Sequence, residues 1–490
     1  MKKKLIASTL AIATLSLGVL AGCFTTTVSV TSIEFSRSVG LVDYYTVTYS
    51  DGKTSEFTVT NGRNGTDGKD GSDAQDVTAL DVYNTYMEMY GDEESGLTFK
   101  EFCERYLTVN TDGAIASDSI AALNNCLLSC AKVYTVFHER QYDDYGKYLG
   151  IIDTAYCGSS VIYKTDEQYT YFLTNYHVIY DDDAAVGYSK FTEKTWVYMY
   201  GSEYAPVRAE NSYDLVISPA DTYAIACDYI GGSIAYDVAV LRANTEDVKK
   251  VNPQFKPVTV SYEYSVGENT YAVGNPDDGG ISVTEGVISV DSDNITLALD
   301  GKERTYRSIR TDTALTHGSS GGGLFNMRGE LIGLNNAGDE KITSMNFAIP
   351  ASVLTAVADG ILYYNAADSS VKTTFVTRLG VTVSPKNSRF IYDSATDKAD
   401  IYEETTVYET PSAGSLAYMA GLQEGDIITS ITLNGKTTEI TRQFKMTDVL
   451  LNTRAGDTLV IGYTRGNVAA QSPALAVRGK DLIDVDKVGS

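Results

Sequence analysis

The 490-residue chain reads as a mainly β protein. From about 118 to 350, Val, Ile and Tyr recur in short alternating runs between Gly, Asp and Asn turns, the pattern of antiparallel strands. From 371 to 485 the same pattern returns around one short helix. Only 76–117 and a segment opening at Pro350 show a sustained helical stripe. A prior of about 150 residues per domain allows roughly three domains, and 43% hydrophobic residues are enough to build folded cores.

The first element is a leader. Lys2, Lys3 and Lys4 precede an apolar run to Leu20, which reads as a secretory signal over 1–22. Its end, Leu20-Ala21-Gly22-Cys23, resembles the bacterial lipoprotein box, which implies lipidation of Cys23; the alternative is cleavage after Ala21 by an ordinary signal peptidase. Residues 23–75 hold a small β-hairpin segment and a spacer. In "YYTVTYSDGKTSEFTVTNG" a loop of Ser50 to Gly52 sets Tyr45 opposite Phe57, keeping the hydrophobic residues on one face. In "GRNGTDGKDGSDAQD" glycine recurs every third residue without proline, too briefly for a triple helix, so this is a solvated spacer. Its aspartates lack the EF-hand pattern.

Phe99, Phe102, Tyr106 and Leu107 give 76–117 the stripe of a small helical module. The β-rich segment forms the next domain, 118–368. It ends in "PASVLTAVADGILYY", where Val353, Leu354, Val357 and Ile361 share a helical face behind Pro350. A second β domain spans 371–485.

Asp and Glu outnumber Lys and Arg by 64 to 39, a net charge of −25. Phosphate binding needs a basic stripe, so nucleic acid is not expected as a partner. Beyond Cys23 five cysteines remain, Cys103, Cys126, Cys130, Cys157 and Cys227. An odd number leaves at least one unpaired in an exported chain, and buried, reduced thiols are expected. Cys126 and Cys130 have the spacing of one helical turn. No C-x-x-C pair suggests a metal.

The chemistry lies in "THGSSGGGLFN", residues 316–326. A serine hydroxyl attacks a carbonyl only with a base to take its proton, a group to orient that base, and donors for the oxyanion. Ser320, followed by Gly321 and Gly322, suits a tight turn that presents a nucleophile. The amides of Gly318 and Ser320 would form the oxyanion hole, with Ser319 as the connecting peptide. The chain has three histidines, His138, His177 and His317. His177, in "YFLTNYHVIYD", follows an apolar strand and is the candidate base, whereas His317 is too close to its serine to be well oriented. Asp237, in "IAYDVAVLRA", precedes four small or apolar residues, and burying its carboxylate requires a partner. Asp214, in "SYDLVIS", is its rival.

"TNYHVI", "YDVAVL" and "TDTALTHGSSGGGLFNMRGELIGLN" resemble, in order, the three catalytic blocks of the HtrA (DegP/DegS-like) branch of trypsin-like serine proteases. "CGSSVIY" and "MNFAIP" add to the likeness. The resemblance implies two six-stranded antiparallel β-barrels with His177, Asp237 and Ser320 meeting across their interface. "TRLGVTV" and "SAGSLAYMAGLQEGDIITSITLNGK" are similar to a PDZ domain, implying that the amides of Leu379, Gly380 and Val381 receive a peptide's terminal carboxylate. Its alternative is a β domain that packs on the protease without a ligand. The expected architecture is therefore a small β/helical N-terminal stalk, two trypsin-like barrels and a PDZ domain.

Ser319 stands where Asn is usual, Asn346 where Gly is common, and His317 where Pro or Arg is more usual. These departures bear on the specificity pocket, not on the triad. The resemblance implies an extracytoplasmic serine endopeptidase acting on unfolded or surface proteins, anchored to the membrane by lipid, needing no cofactor or metal, and assembled as a homotrimer. No charged residue in "LIGLNN" or "MNFAIP" would pair with a charged substrate side chain, so cleavage after small or medium apolar residues is expected. Two other readings remain: a latent or inactive surface-tethered PDZ adaptor, and an adhesin carried by the acidic stalk.

Overall fold

The computed structural model describes residues 30–39, 42–49, 53–60 and 119–487, apart from 203, 211, 300–301, 340–341 and 394–397. The leader, Cys23, the glycine spacer, the 76–117 module and Cys103 lie outside the described residues. The chain divides into two compact units, Met1–Val77 and Thr78–Ser490.

In the first unit, β1 (Val30–Val39), β2 (Val42–Tyr49) and β3 (Thr54–Thr60) form an antiparallel sheet in that order. The β2–β3 register sets Tyr45 opposite Phe57, as the hydrophobic pattern requires. The hairpin expected from the sequence gains a third strand, β1, along β2.

The first described element of the second unit is α1 (Ser119–Leu127), whose Cys126 thiol donates to the Ala122 carbonyl. Cys130 is not on this helix but begins β4 (Cys130–Tyr142). The helical-turn spacing fails because the chain turns after Leu127. Both thiols are buried, and burial pushes the Cys126 pKa up to about 12. Cys157 and Cys227 are half-buried, and all four are unpaired.

Then come β5 (Tyr148–Thr165), β6 (Tyr169–Thr174), the one-turn α2 (Tyr176–Ile179), β7 (Lys194–Met199), the short pair β8 (Val207–Arg208) and β9 (Leu215–Val216), β10 (Ile225–Ala226), β11 (Asp228–Ser233) and β12 (Val238–Asn244). Their main sheet runs β10-β7-β4-β5-β6-β12-β11. Where a closed first barrel is expected, the sheet has β10 and β11 at its two edges, joined by continuous chain rather than by pairing with each other. The reason lies at Cys227, the single residue between β10 and β11. β10 pairs with β7 at one edge and β11 with β12 at the other, so the chain itself, not a ladder, joins the two edges.

After α3 (Thr245–Val251), the second half matches the expected six-stranded barrel. β13 (Asn269–Gly274), β14 (Ser282–Leu299), β15 (Lys302–Thr311), β16 (Gly323–Asn326), β17 (Leu331–Asp339) and β18 (Ile342–Pro350) close in the order β13-β14-β15-β18-β17-β16. α4 (Ala351–Ala367) follows Pro350, and its Val353, Leu354, Val357 and Ile361 are buried as the stripe predicts. They share one core with Val161, Leu173 and Val240 of the first half and Phe325 and Leu334 of the barrel. Each large apolar side chain so buried contributes roughly 1.5–3 kcal/mol, which locks the two halves together.

The last domain contains β19 (Phe375–Thr377), β20 (Val383–Asp393), β21 (Lys398–Val407), α5 (Leu416–Met419), β22 (Ile427–Leu433), β23 (Lys436–Glu439), α6 (Gln443–Leu451), β24 (Thr458–Arg465), β25 (Val468–Gln471), β26 (Leu475–Ala476) and β27 (Leu482–Asp484). Its sheet runs β20-β21-β22-β24-β25, with β20 at an edge, over its own core of Leu379, Leu416, Ile428, Ile431, Leu450 and Ile461. The one-turn α5 joins α6, the single short helix that the sequence suggests.

Candidate active site

His177 lies in α2, directly after the buried strand β6. Asp237 occupies the turn before β12 and is wholly buried, with φ 51°. That left-handed backbone costs a non-glycine residue about 1 kcal/mol and is held by tertiary contacts. The Asp237 carboxylate accepts from His177 Nδ1 at 2.8 Å, from the His177 backbone N–H at 2.9 Å and from Asn336 Nδ2 at 3.0 Å. Its own carbonyl accepts from Asn175 Nδ2 at 3.0 Å. The buried charge is therefore matched by donors, which removes the several kcal/mol that an isolated carboxylate would cost.

The imidazole side chain is 29% exposed. Burial disfavours its charged form, but the charge and hydrogen bond of Asp237 outweigh burial and raise its pKa above the ordinary value. Asp214 does not join this cluster. It is exposed in the turn before β9, where its N–H donates to Ser212. His138 lies between Asp153 at 2.8 Å and Glu193 at 3.1 Å, a structural pairing in the first half.

Ser320 comes from the second half, on the turn that leads into β16. Its hydroxyl donates to the Asn336 carbonyl at 3.1 Å. Asn336 thus touches both partners, Asp237 through its side chain and Ser320 through its backbone. Among the described hydrogen bonds, none joins Ser320 Oγ to His177. The Ser319 N–H donates to Thr316 O at 3.0 Å, so Ser319 serves as the connection and its amide is not a free donor. Gly318 has φ +84°, and a Cβ there would lie 2.3 Å from Asn275 O. At Gly321, with φ +85°, a Cβ would lie 2.1 Å from Ser159 O. Both positions therefore require glycine. His317 is an exposed loop residue whose carbonyl accepts from Asp277 N–H at 2.6 Å.

Sequence reasoning missed Asn336, Ser159 and Asp486. Asn336 sits in the quoted "LIGLNN" and Ser159 in "CGSSVIY", but neither residue type announces a role. Asp486, at the C-terminal end of the last domain, accepts from Ser233 Oγ at 2.7 Å and Ala235 N–H at 3.0 Å, and so holds the turn that presents Asp237. Burial raises its pKa. Only the fold brings it there. The same domain is tied to the barrel by Arg307, which bonds Asp448 of α6 at 2.7 Å and stacks over Phe444.

In the loop between β19 and β20, Leu379 is buried and its carbonyl accepts from Ala417 N–H at 2.9 Å, while Gly380 O accepts from Ser412 N–H at 3.0 Å. Val381 is half-buried beside them.

The trypsin-like peptidase domain family matches residues 158–334. Serine protease Do-like HtrA of Lactococcus lactis (strain IL1403) is 26% identical over 320 residues, 63% of this chain and 67% of that protein. Its Bacillus subtilis counterpart is 25% identical over 319 residues, 63% of this chain and 60% of the relative. A probable periplasmic DegP-like serine endoprotease of Brucella suis is 28% identical over 271 residues, 52% of this chain and 48% of the relative. Among solved structures, the HtrA-type protease AlgW with a decapeptide aligns with 74% of this chain and 98% of its own, at 21% identity and a TM-score of 0.42. The domain match and these relatives define the class: the chain is a trypsin-like serine endopeptidase. Within that class it is similar to the HtrA-type proteases of Lactococcus lactis and Bacillus subtilis.

Proposed function

We propose that the chain is an extracytoplasmic endopeptidase that cuts unfolded or peptide substrates through Ser320, His177 and Asp237. His177 Nε2 takes the Ser320 proton as the hydroxyl oxygen attacks the scissile carbonyl, then returns it to the leaving amine. Asp237 holds Nδ1–H and stabilises the imidazolium. The amides of Gly318 and Ser320 receive the developing oxyanion. Water then repeats the sequence on the acyl-enzyme.

The observation that carries this reading is the buried Asp237–His177 pair, linked through Asn336 to a serine from the other half. Mixing the lipid-free protein with unfolded casein tests it. Ser320→Ala should abolish cleavage while leaving the melting temperature near that of the parent; equal cleavage by the variant would overturn the assignment.

Residues 371–485 act as a PDZ domain in this proposal. A peptide C-terminus would place its carboxylate at Leu379, Gly380 and Val381 and add a strand along the edge of β20. Export and lipidation at Cys23 would hold the enzyme on the outer face of the membrane, and a homotrimer is the proposed assembly. The preference for small or medium apolar residues at the cleavage position is also part of the proposal.

One observation favours a latent state as a second reading. Ser320 Oγ donates its proton to Asn336 O and, among the described hydrogen bonds, not to His177, so the hydroxyl must redirect that proton before His177 can take it. Labelling by a fluorophosphonate without added peptide would exclude latency, whereas labelling that requires a peptide C-terminus would establish it.

A further inference from the structure

Peptide groups are planar, so a hydrogen bond that fixes a carbonyl also fixes the N–H of the next residue on the opposite side. Three consecutive peptide groups run from His317 to Ser320, and each carbonyl is held. His317 O accepts from Asp277 N–H at 2.6 Å, Gly318 O from the Ser159 hydroxyl at 2.7 Å, and Ser319 O from Gly322 N–H at 3.0 Å. The first and third bonds aim the N–H groups of Gly318 and Ser320. The second sets how those two planes are joined, and it alone of the three comes from a side chain.

Ser159 lies on β5 of the first half and is 1% exposed. Its oxygen also accepts the N–H of Asn275 at 2.8 Å. Asn275 is wholly buried and opens the turn that carries Asp277, whose N–H holds the His317 carbonyl. The Ser159 N–H donates to Ser320 O at 2.8 Å, and its carbonyl accepts from Thr174 Oγ1 at 2.8 Å. One residue of the first half therefore grips the loop on both sides of the Ser320 amide and also the turn that clamps its start. Gly318 needs glycine for its positive φ, and glycine offers little local resistance to a change of peptide orientation. The resistance must come from tertiary hydrogen bonds.

We propose that Ser159 is a positioning residue for the reaction, its hydroxyl setting the Gly318 peptide so that the Gly318 and Ser320 amides converge on one oxygen. This rests on the reading of those amides as oxyanion donors. Such donors act mainly on the transition state, so loosening them lowers kcat more than it changes KM.

The test compares Ser159→Ala, Ser159→Cys and Ser320→Ala with the parent, using a fluorogenic peptide and a thermal melt of each. Ser159→Ala should lower kcat by about 10- to 100-fold with little change in KM, short of the loss from deleting a donor outright. Ser159→Cys keeps a donor, weaker and on a larger atom, so its melt is read first and a folded variant should give an intermediate kcat. A folded Cys variant with the parent's kcat, or a loss confined to KM, would overturn the inference. Ser320→Ala separates the two levels. If it is inactive while both Ser159 variants keep full kcat, only the role of Ser159 falls. If it remains active, the reading of the site itself falls.

Discussion

The two halves of the site are held by different forces. In the first half, His177 and Asp237 are fixed by side chains: a buried carboxylate, an imidazole and the amides of Asn175 and Asn336. In the second, the loop from His317 to Gly322 is fixed mostly by its backbone, with glycines at 318 and 321 in a conformation other residues rarely adopt. Charge and hydrogen bonding thus place the proposed acid–base pair, while peptide geometry places the proposed nucleophile and oxyanion donors. The first half should therefore be sensitive to changes of charge, and the second to the addition of a single carbon.

The largest effect separating the two concerns the acid. Asp237→Asn keeps the shape but offers the imidazole the wrong partner, and kcat should fall by about 10⁴. Asp214→Asn, at an exposed position, should leave kcat near the parent value, so comparing the two variants in one peptide assay checks the assignment. Next comes Gly318→Ala. Its Cβ would collide with Asn275 O, and a loss in kcat of about 10²–10³ is expected from displaced donors. Gly146→Ala is the control, because Gly146 has a similar φ of +77° but nothing within 4 Å. It carries the backbone strain without the collision and should retain kcat.

The smallest effect is a shift in the pH profile. The His177 pKa is raised above 6.5, because Asp237 outweighs the opposing effect of burial. Only neutral imidazole can take the serine proton, so kcat/KM should fall as pH drops through a midpoint above 6.5. In Asp237→Asn the raising charge is gone and burial remains, so the midpoint of the residual activity should move to lower pH. A midpoint unchanged by the substitution would separate Asp237 from the titration of His177.

Much of this was legible in the sequence because the informative residues lie in local patterns. The strand–turn settings of His177 and Asp237, the glycines around Ser320 and the stripe behind Pro350 each follow from short-range constraints. The edges of the first half's sheet did not, since nothing around Cys227 shows that one continuous segment serves both of them. Asn336, Ser159 and Asp486 were equally hidden. Each acts through a contact made by tertiary packing, and asparagine, serine and aspartate are ordinary residues in turns and strands. Asp486 is the sharpest case, because a residue near the end of the last domain steadies the turn that carries Asp237.

The central claim is that Ser320 of one half is activated by His177 of the other. The most direct measurement is to react the protein with a fluorophosphonate and map the adduct by mass spectrometry, in the parent and in His177→Ala. The expected result is a single adduct on Ser320, lost when His177 is replaced. An adduct on Ser319 instead, or labelling of Ser320 that is indifferent to His177, would contradict it.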